Sequence, residues 1–249
     1  GAAAAAAVSP SPARAAEGFV IGDSIAASLA QTVGLKFIAH HSVSLRKAAK
    51  RCGIVLDTSF RWRHRFLQLP KQKKATTVSG MVEVDETYFL RSQKGARKVA
   101  GRKARKRGGK ASRPGLSDEH AAVLIARDRT GATTDAVLDK VDTASITRQL
   151  GGVVQKDTLL ISDGEKAYGA FAAALGLLHV WIIASKGEHV WRGYHIQNVN
   201  AYTSVLKTWM TRFRGVATRY LDSYLGWRRR IDRDGDDLPA DRWLIAAVA

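Results

Sequence analysis

Cysteine is nearly missing from this chain: Cys52 is the only one among 249 residues. One thiol closes no disulfide and builds no Cys-based zinc site within the chain, which excludes a disulfide-stapled scaffold and fits a reducing compartment. Long apolar runs are missing too. Nothing reaches the roughly eighteen consecutive apolar residues of a transmembrane helix. Acidic residues are scarce, 22 Asp and Glu against 40 Lys and Arg, so the formal net charge is +18 and the pI about 10.4. Such a field repels cations and concentrates polyanions, nucleic acid first and an anionic membrane surface second. The opening "GAAAAAAVSPSPARAAEG" has no basic stretch ahead of its alanines and lacks the form of a secretory signal. Residues 1–20 read as a disordered alanine-rich tail.

What is present is ordered in blocks. Residues 21–70 carry a helical pattern. Within it, "VSLRKAAKRCGIVLDTSFRWRHRFL" gives a short apolar stripe (Leu45, Ala48, Ala49), a glycine break at Gly53, and N-cap candidates at Asp57, Thr58 and Ser59. Helix, glycine turn and a basic second helix form a helix-turn-helix outline, with Arg61, Arg63 and Arg65 offered to DNA. An ordinary helical hairpin with a solvated basic face has the same pattern. Residues 71–79 read as a polar linker.

From residue 80 to 230 the period changes. Strand patterns in "GMVEVDETYF", "HAAVLIARD" and "TTDAVLDKV" precede helix "TASITRQLGGVV", strand "DTLLISD", helix "EKAYGAFAAALG", strand "LHVWIIAS" and helix "HIQNVNAYTSVLKTWMTRF". The order β-β-β-α-β-α-β-α predicts an α/β domain, a ribonuclease H-like mixed sheet flanked by helices and preceded by the small all-α region. Residues 231–249 read as a C-terminal tail. Residues 94–113 interrupt the domain: ten of these twenty are Lys or Arg, none acidic. A block of like charge repels itself and reads as a disordered insertion; on a basic protein it tracks phosphates, through Arg102, Lys103, Arg105, Lys106 and Arg107.

Two acidic motifs carry the chemistry. In "MVEVDETYF", alternation puts Val82 and Val84 on one face and Glu83 and Asp85 on the other. Asp disfavours strands, so Asp85 in a run of β formers wants a reason. In "TLLISDGEKAY", an apolar strand ends at Asp163, and open α/β sheets place ligand sites at such carboxyl ends. Alone, "SDG" is a turn and "VDE" a wet edge. If the two strands are neighbours, both carboxylates meet, an arrangement costly without a cation between them. Mg2+ (or Mn2+) suits hard oxygens and leaves room for phosphate. Downstream, Asn200 and Lys207 lie almost two turns apart on one helix face, together with Thr203 and Ser204. Glu188 is a rival third ligand, and His195 a contact for phosphate or for packing. Glu86 points to the opposite side from Asp85. Trp209, Tyr220, Tyr224 and Trp227 recur at helical spacing and read as core.

These motifs resemble the insertion-sequence DDE transposases, specifically the ISXO2-like branch, over roughly residues 43–230. The resemblance rests on "SLRKAAKRCG…TSFRWRHRFL", "VEVDETYF", "ISDGEKAY" and "HIQNVNAYTSVLKTWMTRFRGVATRYLDSYLGWRRR". It implies metal-dependent cleavage and strand transfer at insertion-sequence ends, with two Mg2+ (or Mn2+) ions. Asp85 and Asp163 take the aspartate places, Asn200 stands where most such enzymes have glutamate, and Lys207 matches the basic residue that follows. It further implies double-stranded DNA, at transposon ends and target, as partner, a homo-oligomer on that DNA, no membrane, and a bacterial cytoplasmic, nucleoid-associated location. A hydrolytic nuclease on the same fold, and a catalytically dead or domesticated copy that only binds DNA, are the competing readings.

Overall fold

The structure, a computed structural model, describes residues 43–101, 103, 109–113, 117–183, 190 and 193–235. The expected tail at 1–20, the helical pattern of 21–42 and most of the expected C-terminal tail lie outside these residues. The described residues divide into two compact units, one ending at Arg65 and the other beginning at Phe66.

In the first unit, α1 (Leu45–Cys52) starts where the Ser44 side chain accepts the Lys47 N–H at 3.3 Å. It stops at Gly53, whose φ of 63° is a left-handed conformation that glycine adopts without a Cβ penalty. Then α2 (Leu56–Phe66) begins one residue before the expected caps. Two side chains of α2 hold it to the start of α1. The Ser59 hydroxyl donates to the Leu45 carbonyl at 3.2 Å, and Arg63 Nη2 donates to the Val43 carbonyl at 2.6 Å.

The second unit opens with the short α3 (Gln68–Gln72) and is built on five strands: β1 (Met81–Leu90), β2 (His120–Asp128), β3 (Thr133–Leu138), β4 (Leu159–Ser162) and β5 (Leu178–Trp181). Their order across the sheet is β3-β2-β1-β4-β5. The first three form an antiparallel meander, while β4 and β5 run parallel to β1, each reached through a helix. This is a ribonuclease H-like fold. Helices α4 (Thr143–Leu150) and α5 (Lys166–Leu175) cover one face. There Val82, Val84, Leu124, Leu138 and Leu160 pack with Ile146, Tyr168 and Phe171. Helices α6 (Gln197–Thr211) and α7 (Leu221–Asp234) cover the other. Between them Trp209, Phe213, Tyr224 and Trp227 stack edge to face, with Trp209 and Trp227 centroids 5.2 Å apart. The expected core aromatics thus do form a core, Tyr220 at its half-buried margin.

Two stretches differ from their expected roles. The polar run at 71–79 is no free linker: Val78 is buried, donates its N–H to the Val153 carbonyl at 2.9 Å and bridges Val154. Its one sizeable apolar side chain joins the core, while Lys73 stays exposed and Lys74 reaches Asp135. At the other end, α7 continues past residue 230 because Asp232, inside the expected tail, pairs with Arg127 of β2 at 2.7 Å.

Inside a helix, glycine is required at Gly226. A Cβ on Gly226 of α7 would lie 2.5 Å from the Pro70 and Lys71 backbone of α3. Backbone cannot swing aside as a side chain does. Gly226→Ala is therefore expected to destabilise the unit by about 1–3 kcal/mol despite alanine's better helix propensity. A lower urea midpoint at unchanged slope would show it; an unchanged midpoint would refute the close contact.

Candidate active site

Parallel pairing of β1 with β4 sets Val84 opposite Ser162, so Asp85 and Asp163 come next on adjacent strands. Neighbouring strands are about 4.8 Å apart, which brings the two carboxylates together at the carboxyl edge of β4. Each uses one oxygen on local backbone: Asp85 Oδ1 accepts the Glu86 N–H at 2.8 Å, and Asp163 Oδ1 accepts the Glu165 N–H at 3.1 Å. Both side chains are half-buried. Burial, then the charge of Asp163, pushes the Asp85 carboxyl up to about 6, against the pull of the Glu86 N–H and the Lys207 ammonium.

Asp163 has a support of its own. Trp181 donates its indole N–H to His179 Nδ1 at 2.6 Å, which places the imidazole proton on Nε2. That proton points at Ser162 Oγ, 2.9 Å away, and the Ser162 hydroxyl donates to the Asp163 carbonyl at 2.8 Å. Burial pushes His179 down to about 4, so the imidazole stays neutral and the chain of donors keeps its direction.

Glu86 points to the opposite side of the strand, as expected, yet its carboxylate belongs to the same charged group. It accepts the hydroxyl of Tyr168, a fully buried residue of α5. Burial, with Asp163, Asp85 and Glu165 adding their charge, pushes it up to about 7, the Tyr168 bond pulling the other way. Sequence reasoning set Glu86 aside because alternation separates neighbours. Where β1 runs on past the end of β4, that separation fails over the range of a charge. The signal that could have found it is "DE" facing "DGE" across one expected strand pair.

Asn200 and Lys207 stand on α6, both exposed. At about 100° per residue they lie about 200° and 180° round the helix from Asn198. Asn198 donates to the Asp128 carbonyl at 3.2 Å and accepts from Arg127 Nε, also at 3.2 Å, so its flank faces β2. Asn200 and Lys207 therefore occupy the flank of α6 turned away from that contact, and the Lys207 ammonium pulls on Asp85. Thr203, expected with them on an open polar face, is instead buried, while Ser204 is exposed. Beyond Lys207 a groove of about 880 Å³ opens, lined by Tyr88, Phe89, Lys94, Met210 and Arg214.

Among the described residues no three His, Cys, Asp or Glu side chains form a metal cage. That does not conflict with Mg2+ or Mn2+, which bind through one or two carboxylates and complete their shell with water and phosphate oxygens. The mutual penalty of Asp85 and Asp163 is the kind that a divalent cation relieves, and both offer hard oxygens. The residues fit.

The expected DNA-contact residues separate. Arg61 and Arg65 are exposed, Arg61 in a solvated pair with Asp57 at 2.8 Å. Arg63 is a correction: at 2% exposure, with its guanidinium on the Val43 carbonyl, it holds the helix pair together and presents nothing to DNA. The reason is helical phase, since Arg61 and Arg65 share a face that Arg63, at about 200° from each, opposes. In the basic insertion Lys103 is exposed, whereas Arg102, Arg105, Lys106 and Arg107 lie outside the described residues, as does Glu188. The insertion's first residue is not loose: the Lys94 ammonium donates to the carbonyls of Phe213, Arg214 and Gly215 at 3.1, 3.3 and 2.7 Å. A cation there gathers the carbonyls of the turn that follows α6. No helix of the described residues is long and apolar enough to cross a membrane.

A protein of Halobacterium salinarum, described as an uncharacterized protein in transposable element ISH50, is 24% identical over 186 residues, 74% of this chain and 62% of its own length. The chain thus spans less than two thirds of that relative. Among solved structures it is similar to a pre-cleavage Mos1 transpososome, at 12% identity and TM-score 0.29 over 87% of this chain and 78% of that one. It is also similar to a Mos1 strand transfer complex, at 12% identity and TM-score 0.30 over 87% and 77%. The fold assignment rests on strand order and direction rather than on these. The family profile of the ISXO2-like transposase domain matches residues 77–228, which takes in the whole sheet, both aspartates and α6. With more than half its length so matched, the chain belongs to the ISXO2-like transposase family.

Proposed function

We propose that the chain is a DNA transposase that cleaves and rejoins strands at insertion-sequence ends, with Asp85, Asp163 and Asn200 holding two Mg2+ (or Mn2+) ions. The observation that supports this reading is the register of β1 against β4, which sets Asp85 beside Asp163, with the Lys207 ammonium of α6 in electrostatic reach of Asp85. Bound there, divalent cations would activate the attacking oxygen and stabilise the leaving one in phosphodiester displacement. Asp85 and Asp163 supply charge; Asn200 supplies a neutral amide oxygen. The Lys207 ammonium holds a DNA phosphate as a point charge beside Asp85. The groove beyond it, with Lys94 and Arg214 on its walls, gives the strand a cationic path. Arg61 and Arg65, with the basic insertion, contribute contacts to double-stranded DNA that position the enzyme rather than read sequence. Joining two transposon ends to one target calls for two such sites, hence a homo-oligomer on DNA.

The test is a reaction of the purified full chain with plasmid carrying the element's terminal inverted repeats, with Mg2+ or Mn2+ and with chelator. Nicks at the repeat ends together with joined products are expected. Nicks without joined products would make the protein a nuclease. Retention of DNA with neither product would leave only a DNA-binding protein.

A further inference from the structure

Among the described residues Glu83 is the most deeply buried acid of the second unit, fully enclosed on the central strand, two residues before Asp85 and on its face. A carboxylate taken wholly out of water is costly unless charge and hydrogen bonds meet it. They come from three places. Glu83 Oε2 accepts the N–H of Val199, in the first turn of α6, at 2.9 Å. Glu83 Oε1 lies 3.0 Å from Arg129 Nη2, just past the end of β2. His195 closes the group, its Nε2 3.0 Å from Arg129 Nη1 and its Nδ1 3.5 Å from Glu83 Oε1.

The first of these contacts replaces something the helix lacks. A helix start leaves its first N–H groups without partners, and a side-chain acceptor at the N-cap ordinarily serves one of them. The N-cap of α6 is Ile196, which has no acceptor. Instead, Glu83 takes the N–H of Val199 from 116 positions upstream. An anion at this end also suits the helix dipole. One strand thus holds both Asp85, through its backbone, and the N-terminus of α6, through Glu83. The residue after Val199 is Asn200.

We infer that Glu83 is a positioning residue for the acidic site: by capping α6 from β1 it sets the height and rotation at which the helix presents Asn200 and Lys207 to Asp85 and Asp163. This rests on the reading of those residues as the metal site. Glutamine cannot substitute for it. Val199 and Arg129 are both donors, and an amide offers one acceptor oxygen and a further donor.

The experiment measures Mn2+ binding to the full chain without DNA, by calorimetry or by the resonance signal of free Mn2+. Glu83→Gln is expected to weaken binding by about tenfold or more, as loss of a supporting contact behind a ligand does. In an Asn200→Ala background the same change is expected to add little, because the ligand it positions is gone. Full binding by Glu83→Gln, or losses that simply add, would overturn the inference. If Asp85→Asn binds Mn2+ as the unsubstituted chain does, the metal-site reading itself fails, a separate outcome. Amide hydrogen exchange gives a check that needs no variant: Val199 N–H in the unsubstituted protein is expected to exchange as slowly as the core of β1. Rapid exchange there would remove the cap and with it the inference, whatever Glu83→Gln does.

Discussion

Asp163→Asn is expected to lower metal-dependent strand cleavage by about three orders of magnitude or more. The substitution changes shape hardly at all. Asparagine Oδ1 can still accept the Glu165 N–H, and the hydroxyl of Ser162 still meets the Asp163 carbonyl, so the turn after β4 has no reason to move. What it removes is one of two negative charges. A bound divalent cation contributes several kcal/mol to the transition state, and about 4 kcal/mol is a factor of a thousand. Asp85→Asn is expected to behave alike, since its Oδ1 can keep the Glu86 N–H. Asn200→Ala removes a neutral oxygen and should cost less than either. Nicking rates on a plasmid bearing the terminal repeats measure all three, with retention of the same DNA on a gel as the control for folding. A variant that nicks at the unsubstituted rate would take its residue out of the site.

Arg229→Met is expected to destabilise the second unit by about 3–5 kcal/mol, the loss seen when one partner of a buried ion pair is removed. Arg229 of α7 is 5% exposed, Asp135 of β3 is 3% exposed, and their side chains form an ion pair. The same guanidinium donates to the Pro70 and Lys71 carbonyls of α3 at 3.0 and 3.1 Å. One side chain therefore ties a helix, a strand and a second helix. Without it Asp135 is left buried with only Lys74, 3.9 Å away, to balance its charge. Combining Arg229→Met with Asp135→Asn should cost less than the sum of the two, because the double variant buries no unpaired charge. Urea unfolding of the four proteins measures the coupling. Strict additivity would show that the pair is incidental.

Acidity gives a third expectation. Folding raises Asp85 from its ordinary 3.8 to about 6 and Glu86 from 4.5 to about 7. The folded chain then holds more protons than the unfolded one between those limits, so without metal its stability is greatest below about pH 4 in these terms and declines as pH rises toward 7. Burial enforces this first, with Asp163 and Glu165 adding their charge, opposed by the Glu86 N–H, Lys207 and the Tyr168 hydroxyl. A divalent cation competes with those protons. Mn2+ is therefore expected to raise the thermal midpoint more at about pH 8 than at about pH 5. Equal shifts at both would separate the metal from these carboxylates.

Much of this was legible in one dimension. Strand and helix alternate where the period of the apolar residues changes from two to nearly four; four of the five strands lie within the stretches read for them, and β1 runs one residue further, to Leu90. Asp85 and Asp163 stood out because each interrupts or ends a run of β formers. Three things were not legible. Arg61, Arg63 and Arg65 look alike in sequence; only the opposed phase of Arg63, and a carbonyl waiting at Val43, turn it inward. Glu86 and Tyr168 are 82 positions apart and meet because β4 returns parallel to β1 before α5 begins. Glu83 reads as one more acid in "VEVDE" until the helix above it proves to have an isoleucine where its cap should be.

The amino-acid order alone determined which residues alternate, which helices are amphipathic and where acid interrupts apolar strand, because side-chain direction follows local periodicity. Only the tertiary structure decided which acids share a neighbourhood, which arginine is buried and what caps α6. Those depend on the pairing of segments far apart in the chain, where burial, rather than spacing, selects the partner of each polar group.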